Sequence, residues 1–309
     1  MKKKTLLLTG ASGFVGRNAL PELRANYEVL TLGRRPENDV CADLAADVPV
    51  LPHRFDIVFH AAGRAHSVPR SEAEAQAFFD VNLTGTRRLC AALEAAGTPS
   101  SFVFVSTVAV YGRECGEEIS EEHALVGTSP YARSKIEAEN FLREWCSAHG
   151  VVLTVLRPSL IAGADAPGNL GAMVRGLRGG RYLRIGAGTA KKSIVMAVDL
   201  ARVVPLAETR GGTFNLCATR APSFAELEKT ICVQLGRAEP RAIPFWVAKC
   251  LALVGDCCFG RAPIDSARLR KITETLTFSN RRAREELGWI PLEILENYKM
   301  EDTPPLPSR

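Results

Sequence analysis

The chain has 309 residues, 46% of them hydrophobic and 24% charged, with a formal net charge of +5. That length holds one large α/β domain or a domain with a smaller lobe. The mild charge, with no Lys/Arg block beyond the opening KKK, argues against a dedicated nucleic-acid binder and suits small anionic substrates.

In chain order, MKKKTLLLTG has the charge order of a signal peptide, but its apolar run is too short for one. A buried strand, TLLLT at 5–9, is the better reading. It runs straight into Gly10, Gly13 and Gly16, spaced G-x-x-G-x-x-G at a helix start. Glycines there allow a tight turn and let the backbone approach a pyrophosphate at the positive end of the helix. Ser12, Phe14 and Val15 complete this candidate dinucleotide loop. The second strand, EVLTL at 28–32, ends in Gly33, Arg34 and Arg35. An NAD-specific fold places a carboxylate there, whereas Arg suits the 2′-phosphate of NADP. NADP is therefore favoured over NAD, with plain solvation of both arginines as the other reading. Asp43, with Leu44 beside it, is spaced to reach the adenine edge.

DIVFH (56–60), FVFVS (102–106) and VLTVLR (152–157) read as further buried strands, separated by segments with helical periodicity. Apolar strands with helical crossovers predict an α/β fold, a doubly wound parallel sheet. His66, on the loop after DIVFH, has two readings: a group facing substrate, or a plain loop histidine. VSTVAVYG (105–112) ends a strand with hydroxyls and no acid, and YARSK sets Tyr131 and Lys135 four residues apart on one helix face. A phenol ionises near pH 10, too high for a base at neutral pH. A nearby ammonium favours the phenolate, which makes Tyr131 a general acid/base for an alcohol/ketone pair.

After residue 158 the alternation loosens and Gly and Pro become frequent, as in a substrate lobe. SIVMAVDLARVV and TFNLC are expected to return to the sheet, which assigns 1–157 and about 194–218 to a dinucleotide-binding domain and 158–193 with 219–309 to the smaller C-terminal lobe. The stretch 245–260, FWVAKCLALVGDCCFG, is shorter than the roughly 20 apolar residues of a spanning helix. A core or lid helix is expected there, with membrane-surface contact as the alternative. RRAREELGWIPL predicts a last helix and its cap. Nine cysteines without C-x-x-C spacing point to reduced thiols in a cytoplasmic compartment. Cys257 and Cys258 have no zinc-type partner pair, so no metal is expected.

TGASGFVG, HAAG, DVNLTGT, STVAVYG, YARSK, RPSLIAG and LGW occur in the order in which they stand in the extended short-chain dehydrogenase/reductases. From about residue 4 to 292 the chain resembles the nucleotide-sugar epimerase/dehydratase branch of that family, with its Rossmann-type sheet. The resemblance implies Thr107 as the hydroxyl on the reacting sugar oxygen, Tyr131 as base, Lys135 as its partner on the ribose, and Asn82 as a structural and proton-relay residue. It implies Ala61, Ala62 and Gly63 along the cofactor diphosphate and Pro158 opening the loop over the nicotinamide. Asn169 and Leu170 fall where the epimerases contact a nucleotide-diphosphate sugar. Lys192 stands where many relatives carry a diphosphate-gripping Arg, and Arg268 or Arg270 is a further candidate contact or a solvated charge. The 4,6-dehydratases of the family follow their active-site Thr with Asp-Glu; here Val108 and Ala109 occupy those positions. The resemblance thus implies a 4-epimerase, with an NADPH-dependent 4-ketoreductase as alternative and a reductase of a non-sugar ketone further off. It also implies a possible homodimer.

Overall fold

The computed structural model describes residues 3–65, 67–256 and 264–299. Its strands in chain order are β1 (Thr5–Thr9), β2 (Glu28–Gly33), β3 (Val40–Cys41), β4 (Ile57–His60), β5 (Ser101–Val105), β6 (Gly116–Ile119), β7 (Val152–Pro158), β8 (Leu160–Ala162), β9 (Arg184–Ile185), β10 (Ile194–Met196), β11 (Gly212–Leu216), β12 (Ala242–Ile243) and β13 (Leu276–Phe278). The helices are α1 (Phe14–Asn26), α2 (Glu72–Phe79), α3 (Gly85–Ala96), α4 (Pro130–His149), α5 (Gly168–Arg178), α6 (Asp199–Arg202), α7 (Val204–Ala207), α8 (Phe224–Gln234), α9 (Phe245–Asp256), α10 (Ser266–Thr273), α11 (Arg281–Leu287) and α12 (Ile294–Asn297).

Seven strands form one parallel sheet in the order β11-β7-β5-β4-β1-β2-β3. Its strands are apolar on both faces because both are covered. Leu6 and Leu8 of β1 join a core with Phe59, Val103, Leu156 and Phe214 on one side. Leu7 joins Val58, Phe102, Phe104 and Val155 on the other. This alternation is the two-residue period of a strand. Strand order reverses between β1 and β4, where the loops after these strands diverge and leave a crevice.

The lobe has its own core, in which Leu170, Met173 and Leu177 of α5 pack with Leu227 and Ile231 of α8. Three two-stranded parallel sheets tie it together: β8 with β10, β9 with β12, and β6 with β13. TFNLC does return to the central sheet, as β11 paired with β7. SIVMAVDLARVV does not supply a strand to it. With the β7 edge already filled by β11, the short β10 pairs with β8 instead, and the residues after it pack beneath the sheet as α6 and α7. The last predicted helix is α11, closed by Gly288 at φ +67° and anchored by the buried Trp289. Among the described residues no helix is long and apolar enough to cross a membrane.

Candidate active site

The glycines after β1 are fixed by close packing. Gly10 has φ +75°, and a Cβ there would stand 2.7 Å from the Ala62 nitrogen. A Cβ on Gly16 would clash with the Gly10 carbonyl and lie 2.6 Å from the Ala11 Cα. Gly13 starts α1 with no side-chain cap and no acid in the first turn, so the helix end keeps donors and positive potential for an anion. Ser12 is half-buried, while Phe14 packs on the lobe core and Val15 on the sheet core. This cradle fits a dinucleotide diphosphate on geometry alone.

Beyond β2, Arg34 and Arg35 are exposed. The neighbouring acid, Asp39, is turned back on the strand and accepts from the Thr31 nitrogen and Oγ1, both at 2.8 Å. Asp43 is half-buried and takes the Ala45 N–H at 3.0 Å to close its own turn. Leu44 is buried against Gly85.

Behind the crevice lies a hydrogen-bond chain that sequence reasoning missed. His60 is buried at the end of β4 between Thr9 Oγ1 at 2.6 Å and Thr86 Oγ1 at 2.9 Å. Thr86 donates its own proton to the Asn82 carbonyl at 2.6 Å. The bonding pattern therefore assigns His60 Nε2–H as donor to Thr86 and Nδ1 as acceptor from Thr9. Thr9 in turn receives the Ala62 N–H at 3.1 Å. Burial, with the Lys135 charge, pulls His60 down to about 3. The one available signal was a histidine ending an otherwise apolar strand.

Asn82 lies in a π-turn, Asp80–Thr84. Its amide donates to Ser134 Oγ at 2.9 Å and to the Arg64 carbonyl at 3.2 Å, and its oxygen accepts the Arg64 N–H at 2.8 Å. It thus clamps the Ala61–Gly63 loop to α4, and its amide hydrogens are used in doing so. A Cβ on Gly63 would approach Asn82 Oδ1 at 3.1 Å and Lys135 Nζ at 3.2 Å.

Thr107 follows β5, caps the turn Val108–Tyr111 through the Ala109 N–H at 3.1 Å, and sets its hydroxyl near the Tyr131 phenol. Tyr131 enters on the first turn of α4, which Ser129 caps. Burial pushes its phenol above the ordinary value and the nearby Thr107 hydroxyl opposes that. Lys135 is buried one turn on, 4.6 Å over the Phe104 ring, and donates to the Val105 carbonyl at 2.9 Å. Burial pulls it down to about 8, against the Glu139 carboxylate on the next turn. Its ammonium thus faces Val105 and the Gly63 loop; the hydrogen bond goes to that carbonyl and not to the phenol. Glu139 is itself held by Arg157 at 2.6 and 3.1 Å and by Ser106 at 2.5 Å, and Arg157 continues to Tyr111 at 3.0 Å.

Beside these hydroxyls a cavity of about 410 Å³ opens between sheet and lobe, lined in part by Val108, Ala109, Asn169, Leu170, Lys192 and Lys271. Burial lowers the Lys192 ammonium, Lys271 acts in the same sense, and Glu274 and Glu114 oppose them. Arg268 lies off this lining, on Asp265 at 3.4 Å, and Arg270 reaches Glu114 at 3.7 Å. Lys271 enters instead because Leu269 is buried against α9, and two residues on is the opposite side of a helix. That phase was the signal missed. Pro158 ends β7 opposite Leu216. His66, Cys257 and Cys258 lie outside the described residues, among which no metal-binding cluster occurs.

A family profile described as "NAD dependent epimerase/dehydratase family" matches residues 6–217. The N-acetyl-alpha-D-glucosaminyl-diphospho-ditrans,octacis-undecaprenol 4-epimerase of Escherichia coli O157:H7 is 31% identical over 210 residues, 64% of this chain and 61% of that protein. The UDP-glucose 4-epimerase of Vibrio cholerae is 25% identical over 95% of this chain and 92% of its own length. The GDP-6-deoxy-D-mannose reductase of Pseudomonas aeruginosa is 29% identical over 72% and 77%. In fold, the chain is similar to the UDP-glucose 4-epimerase of Thermotoga maritima solved with UDP-glucose, with a TM-score of 0.73 and 22% identity over 96% of both chains.

Proposed function

Because the chain belongs to the NAD dependent epimerase/dehydratase family, we propose that it is a 4-epimerase that inverts C4 of a sugar held by its diphosphate. One observation carries the reading: the Thr107 hydroxyl and the Tyr131 phenol stand together beside a buried Lys135, next to a cavity whose wall at Val108 and Ala109 holds no acid. Thr107 holds the O4 oxygen and Tyr131 takes and returns its proton. Lys135 supplies the positive charge that favours the phenolate. Lys192 and Lys271 offer point charges to the diphosphate from the cavity wall. A sugar on a diphosphate is common to the substrates for which these relatives are named, whether a nucleotide or undecaprenol carries it.

The nicotinamide dinucleotide of the family supplies the hydride chemistry. Gly10 to Gly16 would hold its diphosphate, Ala61 to Gly63 the wall beside it, Asp43 and Leu44 the adenine, and Arg34 with Arg35 a 2′-phosphate. Those arginines, with the Asp39 carboxylate turned back onto Thr31, favour NADP and support a second reading, a 4-ketoreductase. Elimination of water needs an acid and a base that positions 108 and 109 do not offer, which speaks against dehydration.

NMR of UDP-glucose incubated with the protein tests the proposal. Growth of the 4-epimer without net change in dinucleotide absorbance is the expected result. NADPH consumption with a 4-keto sugar nucleotide, and no epimer, would make it a reductase. A 4-keto-6-deoxy product would overturn the reading.

A further inference from the structure

On a globular body an amphipathic helix turns its large apolar residues inward. Helix α9 does the reverse. Ala248, Ala252 and Gly255, at i, i+4 and i+7, are its buried face, set against Leu269 of α10 and against Ile185 and Ile243. Outward stand Trp246, 69% exposed, and Phe245, with Leu251, Leu253 and Val254 each more than half exposed. The core or lid helix expected from the sequence is therefore buried along a narrow stripe of small residues only.

The rim of this patch is basic. Lys249 is exposed on the shoulder of the helix and Arg241 just ahead of it, while Arg268 and Arg270 of the adjoining α10 are paired with Asp265 and Glu114, so Lys249 and Arg241 carry the charge of the rim. Of the nearby acids, Asp256 accepts from Ser266 N and Oγ at 2.9 and 2.6 Å, and Asp265 caps α10 and pairs with Arg268. An apolar strip with a tryptophan and a cationic border is the pattern of a helix lying in a bilayer interface. A second copy is the poorer partner, because a two-fold contact sets a patch against itself and here brings like charges together. The same α10 that supports α9 carries Lys271 into the cavity.

We propose that α9 seats this protein on the surface of an anionic bilayer, with the cavity alongside. The assignment stands apart from the reaction proposed above, and its test reads no activity. The protein is sedimented with vesicles of phosphatidylcholine alone and of phosphatidylcholine mixed with phosphatidylglycerol. Binding to the mixed vesicles, weakened by salt, is expected. It should bring a blue shift in tryptophan emission, since Trp145 and Trp289 are buried and Trp246 is the exposed indole. Trp246→Glu with Lys249→Glu should reduce binding by about tenfold or more and leave the melting temperature unchanged. No binding to the mixed vesicles, or binding the double variant retains, would overturn the proposal. So would a dimer in solution that Trp246→Glu dissociates.

Discussion

Replacing Tyr131 with Phe removes one oxygen and keeps the ring that packs 6.1 Å from Phe78. Since a positioned acid/base contributes on the order of 10²–10⁴ in rate, turnover in the Phe variant should fall by that factor while dinucleotide affinity, measured by calorimetry, stays within a few-fold. Undiminished turnover would remove the phenol from the mechanism. The arginines past β2 make a different claim. Arg34 is exposed, so Arg34→Ala costs the fold little and tests recognition alone. It should weaken NADP by about tenfold, one charge-assisted contact, and leave NAD nearly unchanged. An equal effect on both nucleotides would count against 2′-phosphate recognition.

At the scale of elements, the loop from β1 to α1 is held by contacts that only glycine permits. In Gly16→Ala the new methyl meets the Gly10 carbonyl and the Ala11 Cα, backbone atoms that cannot rotate aside. A loss of about 1–3 kcal/mol is expected from such overpacking, seen as a lower denaturation midpoint, together with loss of dinucleotide binding. An unchanged midpoint would show that the loop has room. This loop was legible in the sequence because its glycines are local, and so were β1, β2, β4, β5, β7 and β11, whose apolar runs carry their own period. The chain Thr9–His60–Thr86 was not, since its members stand 51 and 26 residues apart and meet only through the sheet. The place of β10 depended on which strand had filled the edge beside β7. The faces of α9 and α10 depended on a packing partner, and small residues chosen for the buried side gave no apolar signal.

For the whole molecule, the site tilts stability toward alkaline pH. His60 is held near 3 when folded, against an ordinary value of 6.5, so between those values the unfolded chain binds the extra proton and stability falls as pH falls. The slope is about 1.4 kcal/mol per pH unit for one group, so moving from pH 7 to 5 should cost roughly 2 kcal/mol. Lys135 acts in the same sense at the other end. Folded near 8 and unfolded at 10.5, it binds fewer protons in the folded chain within that window, and stability rises with pH there. Thermal midpoints between pH 5 and 9 check both limbs, and a flat acid limb would show that His60 takes up its proton in place. Every pairing between the named strands is parallel, in the lobe as in the sheet. None can form as a hairpin, and all but the pairing of β2 with the nearby β3 wait for a distant segment. Leu276, on the cavity wall, pairs with Gly116, far earlier in the chain, and Val108 on the same wall is earlier still. The cavity is therefore completed only when these distant segments meet, and a chain cut short before residue 276 would keep its glycine loop but lack the part of the wall that Leu276 and Phe278 supply.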